Sequence, residues 1–217
     1  MKLGNDDALN VEQLVAFYGT RPVNRGASFS LRSGESGLVV GANGCGKTSI
    51  LRTLIGEVVA QANVLEVTGQ APIFREPWHL TRRLVRYVPQ TSILPGAITV
   101  TTYLRAWARQ IRHVEALDLT SITDHLCHVL GCTGERPLGH LSFGQRRFID
   151  LWLAVEAAPM VILADEAFAG LSAAYITALQ RRFDSYLRHG GAILAAAHEA
   201  EQRYWAPNWV CRVEAEA

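Results

Sequence analysis

The chain has 217 residues, 49% of them hydrophobic, which suits one globular domain or two tightly packed subdomains and excludes an intrinsically disordered protein. Its formal net charge of +1 at pH 7 excludes a strongly basic surface, so no nucleic-acid partner is expected. The most apolar stretch, residues 151–164, is interrupted by Glu156 and Pro159 and is too short to span a bilayer, so any membrane role requires another chain.

The first half of the chain predicts several short strands and one helix. The run at 37–40 is continuously apolar and ends at a glycine-rich turn, as a buried parallel strand does. The residues after the turn predict a helix over 48–54, with Ile50, Leu51 and Leu54 on its apolar face. The predicted strands here are residues 12–18, 27–31, 37–40, 64–67 and 84–88.

The second half alternates helices with strands. From about 99 to 141 the apolar residues recur at helical spacing, which predicts a helical insert. A helix over 144–157 then precedes a strand over 160–164. A last helix over 174–187 precedes a strand over 192–196. Strands alternating with helices imply an α/β fold with a mostly parallel sheet.

Residues 41–48 read Gly-Ala-Asn-Gly-Cys-Gly-Lys-Thr and match the phosphate-loop pattern G-x-x-x-x-G-K-[ST] at every fixed position. Glycines let such a loop curl so that its N–H groups converge on phosphate oxygens, and the following helix adds its positive dipole end. Lys47 supplies a charge for the phosphates, and the Thr48 hydroxyl can ligate Mg²⁺. A chance match is disfavoured by the strand before the loop and the helix after it. The predicted nucleotide-binding residues of this segment are Gly41, Asn43, Gly44, Gly46, Lys47, Thr48 and Ser49.

Two carboxylates, Asp165 and Glu166, follow the apolar run at 160–164. The end of a buried parallel strand lies at the carboxyl edge of the sheet, where ligands bind in open α/β folds. Asp165 is therefore predicted to hold Mg²⁺, and Glu166 to polarise the attacking water as general base. The alternative is that the pair only caps the next helix, which the upstream phosphate loop disfavours.

Residues 141–145 read Leu-Ser-Phe-Gly-Gln, just before the helix that leads to the acidic pair. An LSxGQ signature between a phosphate loop and an apolar strand ending in Asp-Glu resembles the nucleotide-binding cassette of ABC ATPases, over nearly the whole chain. The resemblance implies a P-loop NTPase fold with a RecA-like, mostly parallel sheet core, a small antiparallel β subdomain and an α-helical insert. The implied boundaries are 1–90 plus 142–217 for the core and 91–141 for the insert.

The family implies a head-to-tail dimer in which the signature of one cassette binds the nucleotide held by the other. On this resemblance Ser142, Gly144 and Gln145 are nucleotide-binding residues. The hydroxyl, the amide and the helix N-terminus are suitable phosphate donors. Phe143 replaces the commonest glycine at a place that varies within the family.

Three further residues carry over from the resemblance. Gln90 resembles the Q-loop glutamine, which reaches Mg²⁺ and the water, and is assigned as both catalytic and metal-binding. His198 resembles the switch histidine that orients Glu166. Tyr18 resembles the aromatic residue that stacks on adenine; the alternative is that it packs in the core, as strand aromatics often do.

One departure concerns Ser172, which replaces the aspartate that in the family communicates across the dimer. A weaker signal is a crowd of potential zinc ligands in one helical stretch, for which solvated helix residues are the favoured interpretation. These residues are Asp124, His125, Cys127, His128 and Cys132.

The predicted function is an ATPase subunit of an ABC transporter, using ATP and Mg²⁺ and pairing with a second cassette and with polytopic membrane subunits. It would lie peripherally on the cytoplasmic face of a membrane. The alternative is a soluble ABC ATPase with a non-transport role, such as a nucleotide-gated regulator or an assembly factor. Glu166 and His198 argue against a regulator that barely hydrolyses ATP, and Ser172 is the one feature in its favour.

Overall fold

Two five-stranded sheets form the framework of the computed structural model, which describes residues 7–69, 84–111, 118–198 and 204–215. One sheet is parallel throughout and has the strand order β10-β4-β9-β8-β7. Its strands are β4 (Ser36–Val40), β7 (Val85–Val88), β8 (Val161–Asp165), β9 (Ala192–Ala197) and β10 (Trp209–Arg212).

The parallel register brings the carboxyl ends of the central strands to one edge. Val40 at the end of β4 lies opposite Ala197 at the end of β9, and Asp165 at the end of β8 lies opposite Ala196. Every residue of β4, β8 and β9 is buried, which explains their continuous apolar runs. The segments that follow these strands are therefore neighbours in space.

The second sheet is antiparallel and is organised around the long strand β1 (Asp7–Tyr18). It pairs with β2 (Arg21–Pro22), β3 (Ala27–Arg32), β5 (Val59–Gln61) and β6 (Val64–Val67). The register of β1 against β3 shifts between Val11 and Leu14, where Gln13 has a φ of 53°. This irregularity lets one strand serve several partners.

Five α-helices occur in the described ranges: α1 (Lys47–Leu54), α2 (Val100–Ala108), α3 (Leu119–Leu130), α4 (Phe143–Glu156) and α5 (Ala173–Arg188). A 3-10 turn, Leu138–His140, precedes α4. Local sequence sets the ends of α3: the Asp118 side chain accepts from two N–H groups of its first turn, and Gly131 ends it in the left-handed conformation. None of these helices combines the length and apolarity that a membrane span needs.

Two apolar cores lie on opposite faces of the parallel sheet. In β8, Ile162 and Ala164 face the core shared with α2 to α5, whereas Val161 and Leu163 face the core shared with α1 and the antiparallel sheet. Strand alternation therefore divides one apolar run between both cores.

The predicted α/β architecture with a parallel and an antiparallel sheet is confirmed. Three short strands, β2, β5 and β10, were not predicted, because two to four partly exposed residues carry little periodicity. The division into a core and an insert at 91–141 stays a prediction. The stretch it covers holds α2, α3 and the 3-10 turn within 91–111 and 118–141.

Candidate active site

Four chain segments converge at the carboxyl edge of the parallel sheet. The loop at 41–46 follows β4, Gln90 follows β7, Glu166 follows β8 and His198 follows β9. These residues lie far apart in the chain, and the parallel register alone makes them neighbours. The edge is therefore a candidate active site on the general rule for open α/β sheets.

The phosphate loop has the backbone that its glycines predict. Gly44 and Gly46 have φ values of 78° and 97°, which L-residues other than glycine rarely adopt. Gly46 is the N-cap of α1 and has no side chain to satisfy the first N–H groups of the helix. Those N–H groups are the donors that an anion can use. Asn43 and Gly44 are exposed at the loop tip, whereas Ser49 is buried in α1.

Lys47 is buried, and its Nζ donates to the carbonyl oxygens of Gly41 at 2.8 Å and Ala42 at 2.9 Å. The ammonium therefore contacts the backbone of the same loop that is predicted to bind phosphate. Both acceptors are neutral carbonyls, so an incoming phosphate offers the ammonium a stronger, charge-assisted partner.

Gly41 is required by packing, which the motif alone does not reveal. A Cβ at this position would lie 2.4 Å from the carbonyl oxygen of Val213 and 2.6 Å from Sγ of Cys45. Cys45 is itself buried beneath the loop, which explains why a small residue stands at this variable position of the motif.

Asp165 is positioned by two hydroxyl donors. Its Oδ2 accepts from Oγ1 of Thr48 at 2.8 Å and from the hydroxyl of Tyr87 at 3.3 Å. Its Oδ1 is buried without a hydrogen-bond partner among the described residues, and burial raises the pKa of the carboxyl group. A cation beside Oδ1 would supply the missing partner and stabilise the charged form, so Thr48 and Asp165 fit a Mg²⁺ site.

Glu166 lies between Gln90 and His198. Its Oε2 accepts from Nε2 of Gln90 at 2.7 Å, and its Oε1 lies 3.3 Å from Nε2 of His198. Its own backbone is strained, with a φ of 48°. The alternative that the acidic pair caps the next helix is wrong, because Ser172 is the N-cap of α5.

Arg147 of α4 was not singled out from the sequence. It is fully buried, and its guanidinium donates to the carbonyl oxygens of Pro89, Asp165 and Glu166. Burial lowers its pKa, and the nearby carboxylates of Asp150 and Asp165 oppose that effect. An arginine in a largely apolar helix was the available signal, since a buried arginine needs specific partners.

The signature residues occupy the start of α4. The Ser142 hydroxyl accepts from the Gln145 N–H, and the Gln145 side chain accepts from the Ser142 N–H, which makes a capping box. Nε2 of Gln145 also donates to the Leu130 carbonyl at 2.9 Å, so this side chain serves the helix end. Gly144 lies against Gly170, since a Cβ on Gly144 would be 2.4 Å from the Gly170 oxygen. Their contact with a nucleotide stays a prediction.

Tyr18 does not pack in the core: it is 53% exposed at the end of β1, which excludes the alternative interpretation. Arg52 of α1 lies close enough to both Tyr18 and Tyr87 that these two hydroxyls favour its charged form and raise its pKa against the effect of burial. Tyr87 in turn donates to Asp165, so Arg52 and Tyr87 lie between the exposed ring and the acidic edge. Tyr87 and Arg52 were not predicted as site residues.

The potential zinc ligands at 124–132 are not grouped around a common metal site. The part of the chain that the structure describes contains no group of three or more His, Cys, Asp or Glu side chains that could hold a metal ion. His125 instead stacks on Trp152, with ring centroids 4.9 Å apart.

Comparison with known proteins is consistent with this geometry. The model of a family described as ABC transporter matches residues 24–169, which is well over half of the chain. A cytochrome c biogenesis ATP-binding export protein from Idiomarina loihiensis is 28% identical, with 90% of this chain and 88% of the relative covered. A Nod factor export ATP-binding protein I from Ralstonia nicotianae is 30% identical over 92% of this chain but only 62% of its own length.

The fold comparison agrees. A solved structure from Clostridium perfringens, titled as cbiO1 and as part of the ABC transporter complex cbiONQ, has a TM-score of 0.73. It is 21% identical, and the alignment covers 96% of this chain and 87% of that one. At this identity the likeness shows a shared fold.

Proposed function

The chain belongs to the ABC transporter family, and on that premise we propose that the site at the carboxyl edge of its parallel sheet hydrolyses Mg-ATP to drive transport through separate membrane subunits. The family makes the chain an ATP-binding ATPase subunit. The observation that carries the site assignment is the contact of Glu166 with both Gln90 and His198.

Nucleotide binding is assigned to the loop at 41–46 and the start of α1. The loop and helix N–H groups surround the phosphates. The Lys47 ammonium exchanges its bonds to the Gly41 and Ala42 carbonyls for phosphate oxygens. The exposed Tyr18 ring offers a face on which adenine stacks.

Thr48, Asp165 and Gln90 would hold the Mg²⁺ ion. When bound, the ion neutralises charge that develops on the phosphates. Thr48 and Asp165 already hydrogen-bond each other, so both ligands are placed before the ion arrives. Oδ1 of Asp165 is buried and accepts no hydrogen bond from the residues that the structure describes, so it is the atom that most needs the cation.

Glu166 acts as the general base. The Gln90 amide donates to one carboxylate oxygen and His198 lies against the other, so the carboxylate is held in one orientation. A water placed against it loses a proton to the carboxylate as its oxygen attacks the γ-phosphorus, and the bond to the β-phosphate oxygen breaks.

A second cassette completes the site. The N-terminus of α4 presents Ser142, the Gly144 N–H and the dipole end of the helix as donors for the γ-phosphate of another copy. Closure of the two cassettes around ATP is transmitted to the membrane subunits. The chain therefore lies on the cytoplasmic face of a membrane. Two relatives are named as export proteins, which favours export over import.

The test is phosphate release by the purified chain with and without Glu166→Gln. Glutamine keeps the shape of the side chain but cannot accept the proton, so kcat should fall by about 100-fold or more while Mg-ATP binding persists. ATP should then trap a dimer, detectable by light scattering. Glu12→Gln, an exposed carboxylate on β1, is the matched control and should leave kcat unchanged.

Two results would overturn this assignment. Equal phosphate release by wild-type protein and Glu166→Gln would remove Glu166 from the chemistry. Tight ATP binding with no turnover in the wild type would instead favour a nucleotide-gated regulator. Ser172 is compatible with that second function, because its hydroxyl caps α5 and no carboxylate stands in its place.

A further inference from the structure

Arg147 contrasts with the other charged residues of α4 because its side chain is fully buried. A buried charge needs close, well-aligned partners. Here the partners are backbone carbonyls: Pro89 on one terminal nitrogen, and Asp165 and Glu166 on the other. A helix that needed only apolar packing at this place would bury leucine or methionine at lower cost.

The carbonyls of Asp165 and Glu166 are on either side of a strained residue. Glu166 has a φ of 48°, in the left-handed region that residues with a Cβ avoid. Such a conformation persists when the surrounding contacts determine it. One nitrogen of Arg147 donates to both flanking carbonyl oxygens, at 3.2 Å for Glu166, so a single donor contacts the backbone on each side of the turned residue.

The third carbonyl belongs to Pro89, the residue before Gln90. Gln90 donates to Glu166 across the site. The same guanidinium therefore contacts the backbone beside both members of that hydrogen bond. Its planar geometry fixes the spacing between the end of β7 and the end of β8 at the place where the two side chains meet.

We propose that Arg147 is a positioning residue for hydrolysis: its guanidinium holds the backbone of Gln90 and Glu166 so that the glutamine amide and the general base stay aligned. This inference rests on the proposed function of Glu166. The observed hydrogen bonds of Arg147 go to backbone carbonyls, so its effect reaches the reaction through Gln90 and Glu166.

The experiment compares wild-type protein with Arg147→Lys and Arg147→Met. Lysine keeps the charge but replaces the two-pronged donor with one nitrogen, and methionine leaves all three carbonyls without this partner. Phosphate release gives kcat, and calorimetry with Mg-ADP gives the affinity and the fraction of binding-competent sites. Dividing kcat by that fraction removes any contribution from unfolded molecules.

We expect kcat per competent site to fall roughly 100-fold in Arg147→Met and roughly 10-fold in Arg147→Lys, because small misplacements of catalytic groups are that costly. Affinity for Mg-ADP should stay within about threefold, since the phosphate loop is not contacted. If the methionine variant does not fold, the lysine variant carries the test. Arg146→Met, one residue away on α4, is the matched control and should behave as wild type.

Three results separate the possibilities. An inactive wild-type protein would overturn the proposed function itself. An active wild type with both Arg147 variants within twofold in kcat would overturn only the positioning role. Parallel losses of kcat and Mg-ADP affinity would also overturn it, because they would show a general structural support of the fold.

Discussion

The phosphate loop and the cluster around Glu166 lie at the same sheet edge but are built in different ways. The loop is a continuous segment whose lysine bonds to carbonyls five and six residues away. The Glu166 cluster joins residues from four remote segments: Gln90, Arg147, Glu166 and His198. Nucleotide binding can therefore be encoded in one local segment, whereas turnover depends on the tertiary structure. Variants in the loop should change affinity, and variants in the cluster should change kcat.

The largest expected effect is in the cluster. His198→Ala removes the group beside Oε1 of Glu166, and kcat should fall roughly 100-fold because the base loses its orientation. Mg-ADP affinity by calorimetry should be retained. His128→Ala, an exposed histidine on α3, is the control. A loss of affinity as large as the loss of kcat would contradict the assignment of binding to the phosphate loop and of turnover to the Glu166 cluster.

Lys47→Ala tests the contribution of the phosphate loop to nucleotide affinity. Removing a charge-assisted bond to phosphate should weaken nucleotide affinity by about 10- to 100-fold. The change is measured by calorimetry with Mg-ADP, and Arg105→Ala on the exposed face of α2 serves as the control. Undiminished affinity would mean that the lysine stays on its own loop carbonyls when nucleotide binds.

Tyr87→Phe tests whether the Tyr87 hydroxyl positions Asp165, which lies between the phosphate loop and the Glu166 cluster. The hydroxyl donates to Asp165, and Arg52 of α1 lies beside the same tyrosine, so loss of the hydroxyl should disturb the metal ligand modestly. We expect a roughly 10-fold higher Mg²⁺ requirement for phosphate release, the size of one lost hydrogen bond. Tyr103→Phe, a half-buried tyrosine on α2, should not shift the Mg²⁺ titration. An unchanged titration in Tyr87→Phe would remove this residue from the site.

The smallest effect should come from Tyr18→Ala. Loss of a stacking face at an exposed position should weaken Mg-ADP binding about threefold and leave kcat at saturating ATP unchanged. Tyr18→Phe keeps the ring and loses the hydroxyl, which lies near Arg52, so it separates stacking from the contribution of the hydroxyl. Equal losses in the two variants would assign the effect to the hydroxyl.

Much of the site could be predicted because its members carry recognisable local signals. The phosphate loop and the Asp165–Glu166 pair follow from short motifs after apolar runs, and Gln90 and His198 carry over from the family resemblance. The contributions of Tyr87, Arg52 and Arg147 could not be predicted. Their roles come from contacts across remote segments, and neither a tyrosine in a strand nor an arginine in an apolar helix reveals by itself which residues it contacts.

The secondary structure likewise divides into elements that the sequence predicts and elements that it does not. The long buried strands and the amphipathic helices were predicted, because burial imposes a period on the sequence. The short strands β2, β5 and β10 pair at sheet margins with partly exposed residues, so no period marks them.

The amino-acid sequence was sufficient for the phosphate loop, the order of the helices and long strands, and the family to which the chain belongs, since each is written in contiguous residues. Three features emerge only on folding: Glu166 adopts a left-handed backbone beside a buried arginine, Oδ1 of Asp165 has no hydrogen-bond partner among the described residues, and Gly41 must lack a side chain. The physical reason is that backbone strain, burial and steric exclusion depend on residues brought together by parallel strand pairing, over separations that no local pattern records.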